Sequence, residues 1–226
     1  MKREKFIKSL AVGIVATPIL ASTLAKQQTI STRSNCIMTP EETIGPFPHK
    51  LPENLVKANI VGDREGVSLL INLTIQDVNT YCKPLPNVNV DIWQCDAKGN
   101  YSEYSHQLDG DFRGKHFLRG RQITDSNGKV SFISIFPGWY PGRAPHLHLE
   151  ILNKKGKSLL VTQIAFPDEV SDTIYKSKDY KSKVDTNNKQ DYEFRDSISE
   201  NLVDTITGDN KNGYTISKII KVKMDS

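Results

Sequence analysis

The feature that most constrains this chain is a two-residue hydrophobic period that recurs along it. Val67, Leu69, Ile71, Leu73 and Ile75 alternate with mostly polar neighbours. That is the pattern of a strand with one face in a core and the other in water. Val88, Val90 and Ile92 repeat it, and so do Leu147, Leu149 and Ile151. Turn signals separate these runs: Cys-Lys-Pro-Leu-Pro-Asn at 82–87, Asp-Ala-Lys-Gly-Asn at 96–100, and Asp-Ser-Asn-Gly at 125–128, leading into an apolar run at 129–136. Asn-Lys-Lys-Gly at 153–156 joins segments 146–152 and 158–166 as a β-hairpin. A last strand is expected at 214–222. About six such strands, with no long amphipathic helix between them, predict an all-β antiparallel β-sandwich.

Three stretches stand outside the pattern. Residues 102–120 are polar, irregular and glycine-bearing, and a loop of that length inside a compact domain is usually functional. Residues 168–193 are charged and are expected to wrap the surface. Phe194, Ile198, Leu202 and Ile206 have the spacing of a short helix. No phosphate loop, nucleophile elbow or dinucleotide fingerprint occurs.

The N-terminus has the order of a secretory signal peptide. Lys2, Arg3, Lys5 and Lys8 precede an apolar stretch from Leu10 to Ala21, followed by Ser22, Thr23 and Ala25. The stretch is too short to span a bilayer comfortably, so no stable membrane anchor is expected. Residues 1–25 are therefore read as a signal peptide, 26–60 as an extended N-terminal arm, and 61–226 as the β-sandwich. The mature protein is expected in the periplasm or outside the cell. Four cations and one anion of the net +4 charge lie in the leader, which leaves about +1. The basic balance is therefore no argument for nucleic acid. Cys36, Cys82 and Cys95 allow one disulfide in an oxidising compartment, and all three pairings stay open.

The chemistry concentrates in Arg143-Ala-Pro-His146-Leu-His148. A strand puts residues two apart on one face, so both imidazoles point the same way. Paired imidazoles are a common metal-binding element. No carboxylate falls at a convincing ligand spacing. Tyr101 and Tyr140 do stand at the ends of elements facing the same region. A phenolate is a hard anionic donor suited to a high-charge metal, and a bound cation lowers the phenol pKa.

Taken together, three segments resemble the intradiol ring-cleavage dioxygenases, the family of the catechol and protocatechuate 3,4-dioxygenases. They are Val-Asp-Ile-Trp-Gln-Cys-Asp-Ala-x-Gly-x-Tyr101, Phe117-Leu-Arg-Gly-Arg-Gln-x-Thr-Asp-x-Asn-Gly128, and Pro137-Gly-Trp-Tyr140-x-x-Arg143-x-x-His146-x-His148. The arm segment Thr39-Pro-Glu-Glu-Thr-x-Gly45-Pro-Phe47 is similar to that family's opening. The resemblance implies a β-sandwich holding a mononuclear non-haem Fe(III) on Tyr101, Tyr140, His146 and His148. It also implies an arginine three residues before the first histidine, matched by Arg143, and a glutamine fifteen residues after the second, matched by Gln163. In such enzymes the catechol binds the metal as a dianion. Tyr140, by correspondence, leaves the metal and helps to accept the substrate proton. O2 is then inserted between the hydroxylated carbons to give a cis,cis-muconate-type product. Phe47 and Trp139 are expected to line the pocket, and a homodimer stays open.

The chain lacks the long N-terminal helical region of catechol 1,2-dioxygenases, so the short exported branch is the nearer likeness and the substrate does not carry over. With Arg143 assigned to the metal site, no clear second cation awaits a substrate carboxylate unless Arg119 or Arg121 supplies it. Neutral catechols are therefore expected. The competing reading is a non-catalytic transthyretin-like or carboxypeptidase-regulatory-like module. Such a module has no need of Tyr101, Arg143, His146, His148 and Gln163 together.

Overall fold

The computed structural model describes residues 36–49, 55–181, 183–194 and 196–224. The expected signal peptide and the first part of the arm lie outside the described residues. Among the described residues, nine strands form two sheets: β1 (Ser68–Asp77), β2 (Lys83–Pro84), β3 (Asn89–Trp93), β4 (Arg119–Ile123), β5 (Lys129–Ile135), β6 (His146–Leu152), β7 (Ser158–Ala165), β8 (Thr205–Asp209) and β9 (Gly213–Val222). One sheet runs β2-β1-β9-β8, with β5 also on β1, and the other runs β4-β3-β6-β7. Two short helices, α1 (Asp168–Ile174) and α2 (Ile198–Asn201), interrupt the long passage between β7 and β8.

The alternation places the core as expected. Leu69, Ile71, Leu73 and Ile75 of β1 are at most 1% exposed and meet Val90, Ile92, Leu147, Leu149 and Ile151 from the second sheet. One pairing departs from the antiparallel rule: β1 and β9 run parallel, from Leu69 opposite Tyr214 to Asp77 opposite Val222. Parallel pairing needs a long crossover, and here nearly the whole domain lies between the two strands.

β6 differs from a half-buried strand. Leu147, Leu149 and Ile151 face the sandwich core, yet His146 and His148 on the opposite face are also buried. The second sheet is covered outside by two pieces of chain. One is the arm, which bonds to both sheets through Thr39 N–H to Lys221 O of β9 (2.9 Å) and Glu42 N–H to Val161 O of β7 (3.0 Å), and then lies over the outer face, where Gln163 donates to Thr43 O (2.8 Å) and Arg119 to Phe47 O (2.9 Å). The other is the β7–β8 passage. It does not merely wrap the surface, because it buries Ile174, Tyr175, Tyr180, Asp191 and Phe194. The expected helix from 194 to 206 shrinks to α2, and Ile206 belongs to β8. β4 has no hydrophobic period, since its sequence is Arg-Gly-Arg-Gln-Ile. It forms by pairing with β3, opposite Asn89 to Trp93.

Cys36 pairs with Cys82, with Cα atoms 5.7 Å apart. The bond fixes the start of the described arm to the turn after β1. Cys95 is a buried free thiol. Among the described residues, no helix is long and apolar enough to cross a membrane.

Candidate metal centre

Strand register builds the site. Arg119 on β4 lies opposite Trp93 on β3, Trp93 opposite His148 on β6, and His148 opposite Gln163 on β7. One cross-strand row therefore carries a buried arginine, an indole, an imidazole and an amide on the arm-covered face. Trp93 stacks on His148, with ring centroids 5.1 Å apart and planes 3° from parallel. The fifteen-residue offset between His148 and Gln163 is a property of the β6–β7 hairpin, whose pairing sets the two residues side by side.

His146 stands one same-face position along β6. Its Nδ1 donates to Ala144 O at 2.6 Å, which leaves Nε2 with a lone pair directed inward. That Nε2 lies 3.1 Å from His148 Nε2 and 3.2 Å from the Tyr140 hydroxyl. Tyr140 follows the Pro137-Gly138 turn, where Gly138 N–H donates to Asp96 O at 3.1 Å. Tyr101 follows the neighbouring Asp96 turn, whose carboxylate caps the amides of Lys98 and Asn100. Two turns packed on one another thus deliver the two phenols. Their rings lie edge to face at 5.8 Å. The Tyr101 hydroxyl is wholly buried and lacks a regular hydrogen-bond partner.

The electrostatics suit a cation. Burial, with Arg143 beside it, holds His146 down at about 3, and burial with His146 beside it holds His148 well below the usual imidazole range. Both rings are therefore neutral and able to donate a lone pair. Burial also pushes Tyr140 up to about 12 and Tyr101 well above its usual value. On their own the phenols stay protonated, and only a bound cation would reverse that. Two facing imidazole nitrogens, a phenol against them and an orphaned buried phenol fit a high-charge metal ion of the kind that nitrogen and hard oxygen donors select.

Arg143 is held on all sides. Its Nε lies 3.0 Å from both oxygens of Asp191, Nη2 donates to Gln163 Oε1 at 2.5 Å, and Phe194 lies under the guanidinium at 5.4 Å. Nη1 faces Tyr140 Oη and His146 Nε2, each at 3.4 Å. The Gln163 amide is engaged at its other end too, donating to Thr43 O at 2.8 Å. Gln163 is 1% exposed, whereas Tyr140 and Arg143 are only part-buried. The centre therefore reaches solvent on the Tyr140–Arg143 side.

Of the two expected pocket walls, Phe47 joins the cluster, 4.7 Å from the Tyr101 ring. Trp139 does not. It packs against the main core and under Lys181 Nζ at 5.3 Å, because successive residues leave the Gly138 turn in opposite directions. Arg119 and Arg121 are both engaged. Arg119 is wholly buried and donates to Phe47 O and to the oxygens of Ser102, while Arg121 forms a two-pronged pair with Asp91. Sequence reasoning missed Thr43, Asp191 and Phe194. Trp93 was within reach, since the alternation of Val90 and Ile92 assigns it to the opposite face.

Fold and centre together define a β-sandwich with two histidines and two tyrosines gathered on the outer side of one sheet. Comparison with known proteins makes this specific. The family described as Dioxygenase matches residues 47–203, and the chain belongs to it, as an intradiol ring-cleavage dioxygenase family member. The intradiol ring-cleavage dioxygenase from Tetranychus urticae is similar in structure at a TM-score of 0.74 and 30% identity, over 83% of this chain and 95% of that one. The protocatechuate 3,4-dioxygenase beta chain of Burkholderia cepacia is 33% identical over 135 residues, covering 57% of this chain and 55% of its own length. Catechol 1,2-dioxygenase of Candida albicans is 30% identical over 172 residues, covering 62% and 52%. The chain thus spans little more than half of these curated relatives.

Proposed function

We propose that this protein is an exported Fe(III)-dependent intradiol dioxygenase that inserts both atoms of O2 between the hydroxylated carbons of a small uncharged catechol, giving a cis,cis-muconate-type product. The observation that carries the proposal is the convergence of His148 Nε2 and Tyr140 Oη on His146 Nε2, at 3.1 Å and 3.2 Å, with the buried Tyr101 ring packed edge to face on Tyr140. A ferric ion held by these four side chains would supply a Lewis acid and a template for both diol oxygens.

The other residues have definable tasks. Tyr140 is the part-exposed donor of the set, and its oxygen, once ionised by a bound metal ion, would be the group able to take a proton from an incoming diol. Arg143 Nη1, 3.4 Å from that oxygen, is placed to offset negative charge developing on the substrate. Phe47 and the arm residues around Gly45 close the far side against water. A neutral substrate is favoured because Arg119 and Arg121 are each taken up by protein partners, leaving neither placed for a ring carboxylate. Export is supported by the basic-then-apolar order of residues 1–25 and by the Cys36–Cys82 bond, which suits an oxidising compartment.

The test is metal analysis of aerobically purified protein, followed by O2 uptake with catechol, 4-methylcatechol, hydroxyquinol and protocatechuate, with the products identified. Iron, a visible ferric-tyrosinate band and muconate-type acids are expected. A yellow semialdehyde, or no uptake by iron-loaded protein, would remove the intradiol reading. Strong preference for protocatechuate would remove only the substrate claim.

A further inference from the structure

We infer that Asp191 is a positioning residue for the reaction, acting through Arg143. The inference rests on the dioxygenase reading above. Asp191 lies in the β7–β8 passage, 43 residues past the last donor of the centre, and its carboxylate is fully buried. A buried carboxylate is costly unless it is paired and hydrogen-bonded. This one accepts from Arg143 Nε at 3.0 Å, from Ala144 N–H at 2.7 Å and from Glu193 N–H at 2.9 Å.

The geometry determines which edge of the guanidinium the centre meets. Arg143 has five N–H donors in a rigid fork. Asp191 takes the Nε edge, Gln163 takes Nη2, and Phe194, three residues past Asp191, covers one face. Nη1 is left directed at Tyr140 Oη and His146 Nε2. Rotating the guanidinium to present another edge would break the Asp191 contact. Asp191 also fixes the backbone of Ala144, between Arg143 and the strand that carries both histidines. A ring of contacts closes the arrangement, because Gln163 donates to Thr43 O and the Thr43 hydroxyl donates to Glu193 Oε2 at 2.9 Å. The β7–β8 passage thus holds the arginine from one end and the arm from the other. Asp191 touches neither the four donors nor the space beside them, so it acts through orientation and charge.

The test uses the iron-loaded full chain, with Asp191→Asn, Arg143→Ala and the double variant. Asparagine keeps an oxygen to accept the Ala144 N–H but loses the charge that binds Arg143. The visible band and the affinity for catechol titrated without oxygen should stay within about threefold of the parent protein, while turnover falls by about 10²-fold, the scale of a misplaced catalytic group. In the Arg143→Ala background, Asp191→Asn should change turnover by less than about twofold, because the group it positions is gone. Asp191→Glu, which restores the charge, should recover part of the loss. Independent multiplicative losses in the double variant would overturn the inference. So would Asp191→Asn turnover equal to that of the parent, or an Asp191→Asn protein that unfolds or loses iron while Asp191→Glu gains no turnover over Arg143→Ala. Failure of the parent protein itself to consume O2 with any catechol would remove the dioxygenase reading, and this inference with it.

Discussion

Gly45 shows how a single hydrogen can determine whether the arm fits. Its φ is +73°, and a Cβ built on it would stand 2.5 Å from His148 Cε1. Gly45→Ala is therefore expected to lift the arm from the imidazole and reduce bound iron, read by metal analysis and the intensity of the visible band, with little change in far-ultraviolet circular dichroism. Full iron occupancy in that variant would count against the close approach. The two tyrosines should also part company. Tyr101 is wholly buried and Tyr140 only partly, so Tyr101→Phe should lower iron affinity, whereas Tyr140→Phe should keep iron more nearly and lose turnover. Equal effects on iron content would contradict the difference in their surroundings. That Tyr101, Tyr140, His146 and His148 face one region could be read from the sequence, because each sits beside a local signal, a turn or a strand period. Asp191 and Thr43 could not. Their roles depend on contacts across 48 and 120 residues, and nothing in their own neighbourhood marks them.

At the scale of elements, β6 carries an unusual load of buried imidazole, and the acid response should show it. Burial holds His49 and His146 at about 3 and His148 well below its usual value. The unfolded chain takes up these protons near pH 6.5, so below that pH it binds more protons than the folded metal-free protein. Stability is therefore full above about pH 6.5 and is lost as pH falls towards 3. Each histidine contributes a slope of up to about 1.4 kcal/mol per pH unit. Glu42, Glu150 and Asp168 are raised by burial and oppose this trend nearer their own range. Urea midpoints of metal-free protein at pH 7.5, 6.5 and 5.5 should fall, most steeply in the last step, and constant midpoints would contradict the burial. The same scale shows what the sequence could convey of the fold. β1, β3 and β6 announce themselves by period. β4 does not, because Arg119 and Arg121 serve the outer face through their hydrogen bonds and leave no apolar alternation to read. The 168–193 stretch looks like a solvated wrap because its charges outnumber the few residues, such as Tyr175 and Asp191, that anchor it.

For the whole molecule, the Cys36–Cys82 bond closes a loop of 46 residues. Removing it should cost about 4 kcal/mol on a chain-entropy view. A Cys36→Ser/Cys82→Ser protein is expected to melt lower than the oxidised parent and to match the parent measured in reductant. Coincident melting of the oxidised and substituted forms would show that the arm gains nothing from its tether. The parallel pairing of β1 with β9 has a consequence for the order in which the chain is made. The histidine-bearing sheet is complete in sequence at Ala165, but β1 waits for a neighbour that ends at Val222. During synthesis the histidine sheet therefore emerges before the sheet it packs against can be finished. Leu69, Ile71, Leu73 and Ile75 belong to a sheet still lacking β9 and β8 for that interval. Contacts of such sequence separation form slowly, and unfinished sheet edges are prone to pair with other chains. The nascent protein is thus most exposed to aggregation after its chemistry-bearing half has been made and before its last ten-residue strand arrives.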